Sequence, residues 1–135
     1  MDEMDITVRV PATTANLGPG FDCLGMALDV WNEVRVTSAD RVSVSLEGEG
    51  ADTLPTGAGN LVYQSFQRLF QAAGAPPPVL ALHCLNRIPL ERGLGSSAAA
   101  IVGGLVAGRA LLEQARRGDA PRFGDHDLLD MAVDI

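Results

Sequence analysis

One stretch constrains the chain more than any other: Arg87-Ile-Pro-Leu-Glu-Arg-Gly-Leu-Gly-Ser-Ser-Ala-Ala-Ala-Ile-Val-Gly-Gly-Leu-Val-Ala-Gly108. A β-like run, Val79 to Leu85, leads into it, and an Ala/Val/Leu-rich helix leaves from it. Gly93, Gly95, Ser96 and Ser97 lie at the junction. Glycine lets the backbone turn sharply and approach a ligand closely. The first turn of the following helix offers unpaired N–H groups and the positive end of the helix dipole. Serine hydroxyls add donors, or an oxygen for a metal ion. These features together predict an anion cradle, and phosphate is the guest such a cradle suits.

Three kinds of phosphate loop compete for this pattern. A Walker A loop requires lysine after its second glycine, and the chain contains no lysine. Gly93-x-Gly95-x-x-Ala98 nominally fits a dinucleotide fingerprint. Pro89, Glu91 and Arg92 nevertheless separate those glycines from the strand, where that fold needs a tight turn. The acid at about the right distance, Glu113, lies on the same helix instead of on a second strand. In the third reading, Pro89-Leu-Glu-Arg-Gly-Leu-Gly-Ser-Ser-Ala-Ala-Ala resembles the P-x-x-x-G-L-G-S-S-A-A signature of the GHMP kinases. Against all three stands a plain alternative, a Gly/Ala-rich turn that serves helix packing alone.

The rest of the chain predicts an α+β domain. Asp5 to Pro11 alternates through Ile6, Val8 and Val10, a half-buried strand ended by Pro11. Residues 12–25 are small, polar and turn-forming, unable to build core. Met26 to Val36 predicts one or two strands, and Arg41 to Glu47 another. Gly48 to Gly59 reads as a loop. Asn60 to Ala73 has helical spacing (Val62, Phe66, Leu69, Phe70, Ala73) and is stopped by Gly74 and Pro76-Pro-Pro. Val79 to Leu85 is apolar on both faces, as in a central strand. Ser96 to Arg117 is a long helix, apolar nearly all round in its first half, and a further helix starts at Asp125.

Composition bounds the function. The chain has 135 residues, 47% hydrophobic, with a net charge of −7, enough for one domain or part of one. Its basic residues are scattered, which argues against nucleic acid and anionic membrane as partners. The uncharged run from Gly93 to Gly108 is shorter than the roughly 18 residues of a spanning helix. Cys23 and Cys84 form no C-x-x-C pair and read as reduced thiols, so a cytoplasmic location is expected.

A second segment narrows the resemblance. Val10-Pro-Ala-Thr-Thr-Ala-Asn16-Leu-Gly18-Pro-Gly20-Phe-Asp22-Cys-Leu-Gly25 is similar to the P-A-[ST]-[ST]-A-N-x-G-x-G-F-D-x-x-G segment of the homoserine kinases within the GHMP superfamily. That resemblance implies a ribosomal protein S5 domain 2-like fold with a left-handed crossover. It implies MgATP-dependent phosphorylation of L-homoserine, by direct in-line transfer, in threonine biosynthesis. The phosphate loop would be Pro89, Leu90, Glu91, Arg92, Gly93, Leu94, Gly95, Ser96, Ser97, Ala98 and Ala99. Asn16 and Asp22 would contact homoserine, with Asp22 near the reacting hydroxyl. Read from the residues alone, both could equally make local turn hydrogen bonds. Asn60 would line the nucleotide pocket or act as an N-cap. Ser96 or Ser97 would touch Mg²⁺, and Arg92 would face phosphate or solvent. His83 and His126 read as structural, and Cys23 as a packing residue.

Relatives of this kind run to about twice the length, consistent with one further domain of ordinary size. The resemblance places their Mg²⁺ carboxylate, a His-x-Asp-Asn segment and carboxylate-binding arginines beyond Ile135. The expectation is therefore that residues 1–135 form a truncated GHMP N-terminal domain without its C-terminal partner. The full-length protein would admit a homodimer. Two other readings stay open: a GHMP kinase for another small alcohol such as mevalonate, and a non-catalytic nucleotide-binding module.

Overall fold

The computed structural model describes residues 5–15, 25–115 and 122–135. Its elements are β1 (Asp5–Ala15), β2 (Gly25–Ser38), β3 (Ser43–Gly48), α1 (Leu61–Ala73), β4 (Leu80–Asn86), α2 (Ser96–Ala115) and α3 (Asp125–Val133). The sheet order is β1-β2-β4-β3. The β1–β2 and β2–β4 pairs are antiparallel, while β3 and β4 run parallel. A parallel pair needs a long crossover, and α1 lies within this one.

Register decides which side chains meet. Val8 lies opposite Val34, Val34 opposite Cys84, and Cys84 opposite Leu46. The next row on the same face runs Ile6, Val36, Leu82 and Val44. Residues one step along point to the opposite face, giving the polar row Thr7, Arg35, His83 and Ser45. The apolar rows pack against Val62, Phe66 and Phe70 of α1 and Ala107, Leu111 and Leu112 of α2. Phe66 and Leu82 are fully buried, each contributing about 2 kcal/mol of transfer free energy. On the polar face Arg35 holds Asp5 through two hydrogen bonds of 3.0 and 2.9 Å.

The helix ends follow the sequence signals. The Asn60 side chain accepts from the Tyr63 N–H to cap α1, and Gly74 closes it in the left-handed region at φ 70°. Helix α2 begins at Ser96 and is described to Ala115; Arg116 and Arg117 lie outside the described residues. Helix α3 starts after Gly124, whose N–H donates to the Asp127 carboxylate at 2.8 Å. Its Leu128 and Met131 pack on Leu69 and Leu105.

Several expectations need correction. Strand β1 does not stop at Pro11. It continues to Ala15, with a register shift between Pro11 and Ala12. Proline lacks an N–H, yet an edge strand with a bulge accommodates it. Ala12, placed in a segment expected to build no core, is fully buried beside Ile88 and Ala99. Strand β4 alternates instead of being buried on both faces: Leu80, Leu82 and Cys84 are buried, while Ala81, His83 and Leu85 are half-buried. The first half of α2 is not enclosed all round either, since Ser97, Ala98 and Val102 are exposed. The apolar stretch also reaches further than Gly108. Ser96–Gln114 is long and apolar enough, by length and composition alone, to cross a membrane. Here it packs as a core helix through Leu105, Ala107, Leu111 and Leu112.

Candidate functional site

Strand β4 delivers the chain to the loop with help from an unexpected residue. The Asn32 side-chain oxygen accepts from the backbone N–H groups of Arg87 at 2.8 Å and Ile88 at 2.9 Å. That doubly accepting oxygen fixes where the loop begins. Ile88 then anchors it in a small apolar cluster with Ala12 and Ala99. Beyond, the backbone takes three left-handed conformations, at Glu91 (φ 57°), Gly93 (φ 68°) and Gly95 (φ 76°). A non-glycine residue there stores roughly 1–3 kcal/mol of strain, so the turn at Glu91 is held by its surroundings.

The far side of the loop is clasped by β1. The Thr13 N–H donates to the Leu94 carbonyl at 2.9 Å. A Cβ added to Gly95 would lie 2.5 Å from the Thr13 hydroxyl oxygen, so no larger residue fits without displacement. The first backbone bond of α2 runs from Ala99 N–H to the Gly95 carbonyl at 2.8 Å. The N–H groups of Ser96, Ser97 and Ala98 therefore have no helical acceptor. Ser97 and Ala98 are exposed, which leaves this positive helix end open to an anion.

Beside that helix end lies a cleft of about 120 Å³. Its polar wall carries Asn32, Asn60, Asn86, Ser96 and Ser97, and its apolar wall includes Leu46, Leu61 and Leu90. A few placed polar groups in an apolar hollow are the usual makeup of a small-molecule site. Asn60 spends its side chain on structure, donating to the Pro55 carbonyl at 2.9 Å and accepting from Tyr63. It thus caps α1 and lines the cleft at once. Cys84, also on the lining, has its thiol pushed up to about 11 by burial, which makes it a poor nucleophile near neutral pH.

The residues from Pro89 to Ala99 thus form one continuous loop and helix start, and Asn60 faces the same cleft. Arg92 is exposed. Asn16, Asp22 and Cys23 lie outside the described residues. The strand residues that flank them, Ala15 and Gly25, are paired with each other, two positions beyond the Thr13 clasp. His83 joins β3 to β4 on the polar face, with Nδ1 2.7 Å from the Ser45 hydroxyl and Nε2 3.1 Å from Glu47. His126 is exposed near Asp130. Among the described residues no three His, Cys, Asp or Glu side chains converge to hold a metal. The hard oxygen donors at the cleft include the two serine hydroxyls and the Asn86 amide oxygen. Sequence reasoning missed Asn32 and Thr13. A faint signal existed for Asn32, a polar residue at a position in β2 that turns out buried; Thr13 sat inside the quoted P-A-[ST]-[ST]-A-N segment, but its clasp depends on a partner distant in sequence.

The family model of the GHMP kinases N terminal domain matches residues 60–135. The chain belongs to the GHMP kinase family. It is 47% identical over 131 residues to a homoserine kinase of Streptomyces coelicolor, covering 96% of this chain and 41% of that protein. A homoserine kinase of Moorella thermoacetica is 50% identical over 105 residues, covering 78% of this chain and 36% of its own length. Among solved structures, homoserine kinase from Cytophaga hutchinsonii superposes with a TM-score of 0.79 at 33% identity, over 96% of this chain and 40% of that one. Mevalonate kinase from Methanococcus jannaschii gives 0.73 at 14% identity, over 96% and 45%, a likeness of fold. The chain thus spans about two fifths of the length of the GHMP relatives it matches.

Proposed function

We propose that this chain supplies the phosphate-binding part of an ATP-dependent homoserine kinase, acting in the cytoplasm in threonine biosynthesis. The observation that carries the reading is the open α2 start beside a cleft with apolar and amide walls. The similarity to homoserine kinases across 96% of the chain supports the choice of acceptor.

In this reading the N–H groups of Ser96, Ser97 and Ala98 bind the β- and γ-phosphate oxygens, and the cleft takes the nucleoside. Gly93 and Gly95 let the backbone curl around the anion. Asn16 and Asp22 bind L-homoserine, and Asp22 orients its hydroxyl. The hydroxyl oxygen bonds to the γ-phosphorus as the bond to the β–γ bridging oxygen breaks. The hydroxyl proton leaves to solvent or to Asp22, and ADP and O-phosphohomoserine result. Mg²⁺, when bound with ATP, would supply neutralisation of the phosphate charge. A hydroxyl of Ser96 or Ser97 would offer it one oxygen, and its main carboxylate would come from outside the described residues. An aspartate with an ordinary pKa near ~4 is a weak base at neutral pH, so positioning is the larger part of the role of Asp22.

The test is a coupled ADP-release assay on the protein as its gene encodes it, with L-homoserine and mevalonate offered separately. Homoserine-dependent release is expected. Release with mevalonate alone reassigns the acceptor, and ATP binding without either turnover reduces the chain to a nucleotide-binding module. Asp22→Asn is expected to keep ATP binding and lower kcat about 100-fold; an unchanged kcat/KM removes Asp22 from the mechanism.

A further inference from the structure

Asn32 does more than fasten the loop. It is more than nine-tenths buried, with a relative exposure of 7%. Its oxygen is saturated by the Arg87 and Ile88 N–H groups. Two backbone donors on one atom also settle which atom of the amide is the oxygen, because a nitrogen there would face donors with donors. The nitrogen Nδ2 therefore has a fixed direction. It makes no hydrogen bond to another described residue. No enclosed side-chain nitrogen or oxygen among the described residues lacks a partner. Asn32 lines the cleft beside Ser96 and Ser97, which puts its amide at the cleft wall.

We infer that Asn32 is a nucleotide-binding residue, whose Nδ2 donates a hydrogen bond to an acceptor atom of the molecule in this cleft. The inference rests on the phosphotransfer reading for the identity of that molecule, ATP. The contrast with Asn60 sharpens it. Asn60 donates to Pro55 and accepts from Tyr63, leaving less for a ligand, whereas both Nδ2 protons of Asn32 are uncommitted to described residues. A donor on a cleft wall needs a ligand acceptor once the bound ligand excludes water, because leaving it unpaired would then carry the desolvation cost. The acceptor is either a ring nitrogen of the base or a phosphate oxygen. Both are the same chemistry to an amide N–H.

Asn32→Asp separates the two jobs. Aspartate keeps an oxygen for Arg87 and Ile88, so the loop fastening survives. It replaces the outward donor with an acceptor. With the protein as its gene encodes it, Kd would be measured for ATP, adenosine and tripolyphosphate at low salt and at about 0.5 M salt, where the Debye length is only a few ångströms. The expected result is a Tm nearly unchanged and an ATP affinity about 30-fold weaker at both salts. The loss should appear with adenosine if the acceptor is on the base, and with tripolyphosphate if it is on phosphate. An ATP affinity that is unchanged, or a loss that vanishes in high salt, overturns the inference. Should the variant fold poorly, the Asn32 side-chain NH₂ signals of the wild-type protein decide by NMR. They must shift on saturation with ATP, and unmoved signals overturn the inference. A wild type that binds ATP without homoserine turnover refutes the kinase reading and leaves this test readable. A wild type that binds no ATP refutes both.

Discussion

Two groups of glycines stand within sixteen residues of each other and serve unrelated ends. Gly93 and Gly95 sit in the loop with φ values of 68° and 76°, where an L side chain is strained. Gly103, Gly104 and Gly108 lie inside α2, where the helix would accept alanine gladly but the neighbours would not. A Cβ at Gly103 would meet Val34 at 2.9 Å, one at Gly108 would meet Leu69 at 2.7 Å, and one at Gly104 would overlap the Val62 carbonyl oxygen. The first group gives the backbone the left-handed turns that the proposed phosphate loop requires. The second brings two helices and a sheet within touching distance. Close helix packing, the plain alternative raised for the loop turn, is what Gly103, Gly104 and Gly108 do further along the helix, whereas a Cβ at Gly93 would meet nothing. A glycine pattern of this kind says nothing until each position is asked what occupies the space around it.

Substitutions can break that division. The largest effect is expected at Gly104→Ala. Overpacking costs about 1–3 kcal/mol and alanine returns about 1 kcal/mol of helix propensity. Because the obstacle is backbone of α1, the net is put at ~2 kcal/mol, a Tm fall of roughly 6 °C by thermal denaturation. ATP affinity of the folded protein should stay within about twofold, as the loop is untouched; a parallel loss of affinity would show that the two groups are one. Gly95→Ala comes next. Its left-handed strain is about 1–2 kcal/mol, and its Cβ would push on Thr13. ATP affinity, read by isothermal calorimetry, should drop at least about tenfold, while Tm falls less than for Gly104→Ala. Gly93→Ala has open space around its Cβ, so only backbone strain of about 1 kcal/mol applies. Its loss of ATP affinity should be smaller than that at Gly95, and an equal loss would deny the Thr13 contact any role.

The smallest effect serves as a reference far from both groups. The Arg35 guanidinium, by hydrogen bond first and charge second, holds the Asp5 carboxyl below its usual 3.8. A carboxylate with a depressed folded pKa stabilises above its unfolded pKa and loses that contribution as pH falls through the folded value. The pair is exposed on the polar face, so its effect on stability is small. An NMR titration of Asp5 should give a midpoint under 3.8, and none of the three glycine substitutions should move it.

How legible this was in the sequence depends on distance along the chain. The start of α2 at Ser96, the α1 cap at Asn60 and the stop at Gly74 were readable because their causes lie within a turn of the residue concerned. The loop residues from Pro89 to Ala99 were readable because the motif is contiguous. The passage of β1 through Pro11 was not, since it depends on β1 being an edge strand, a fact of sheet order. The burial of Ala12 depends on Ile88 and Ala99, and the half-burial of Ala81, His83 and Leu85 on which face the helices chose. Asn32 and Thr13 act on partners contributed by another strand or loop. Local pattern carries no trace of such partners.

The clasp between Thr13 and Leu94 has a consequence for the order of events in folding. The loop contains a disfavoured turn at Glu91, so its own sequence does not hold it in shape. Its form is completed only when β1 has docked on β2 and brought Thr13 to Leu94, a closure across most of the described chain that carries an entropic cost before it returns any contact. Nucleation of α2 can come early and the finished cradle only late. If the proposed reading holds, affinity for phosphate would gauge whether the sheet has been assembled to its first strand, and removing residues through Thr13 would silence that gauge while the helices remained.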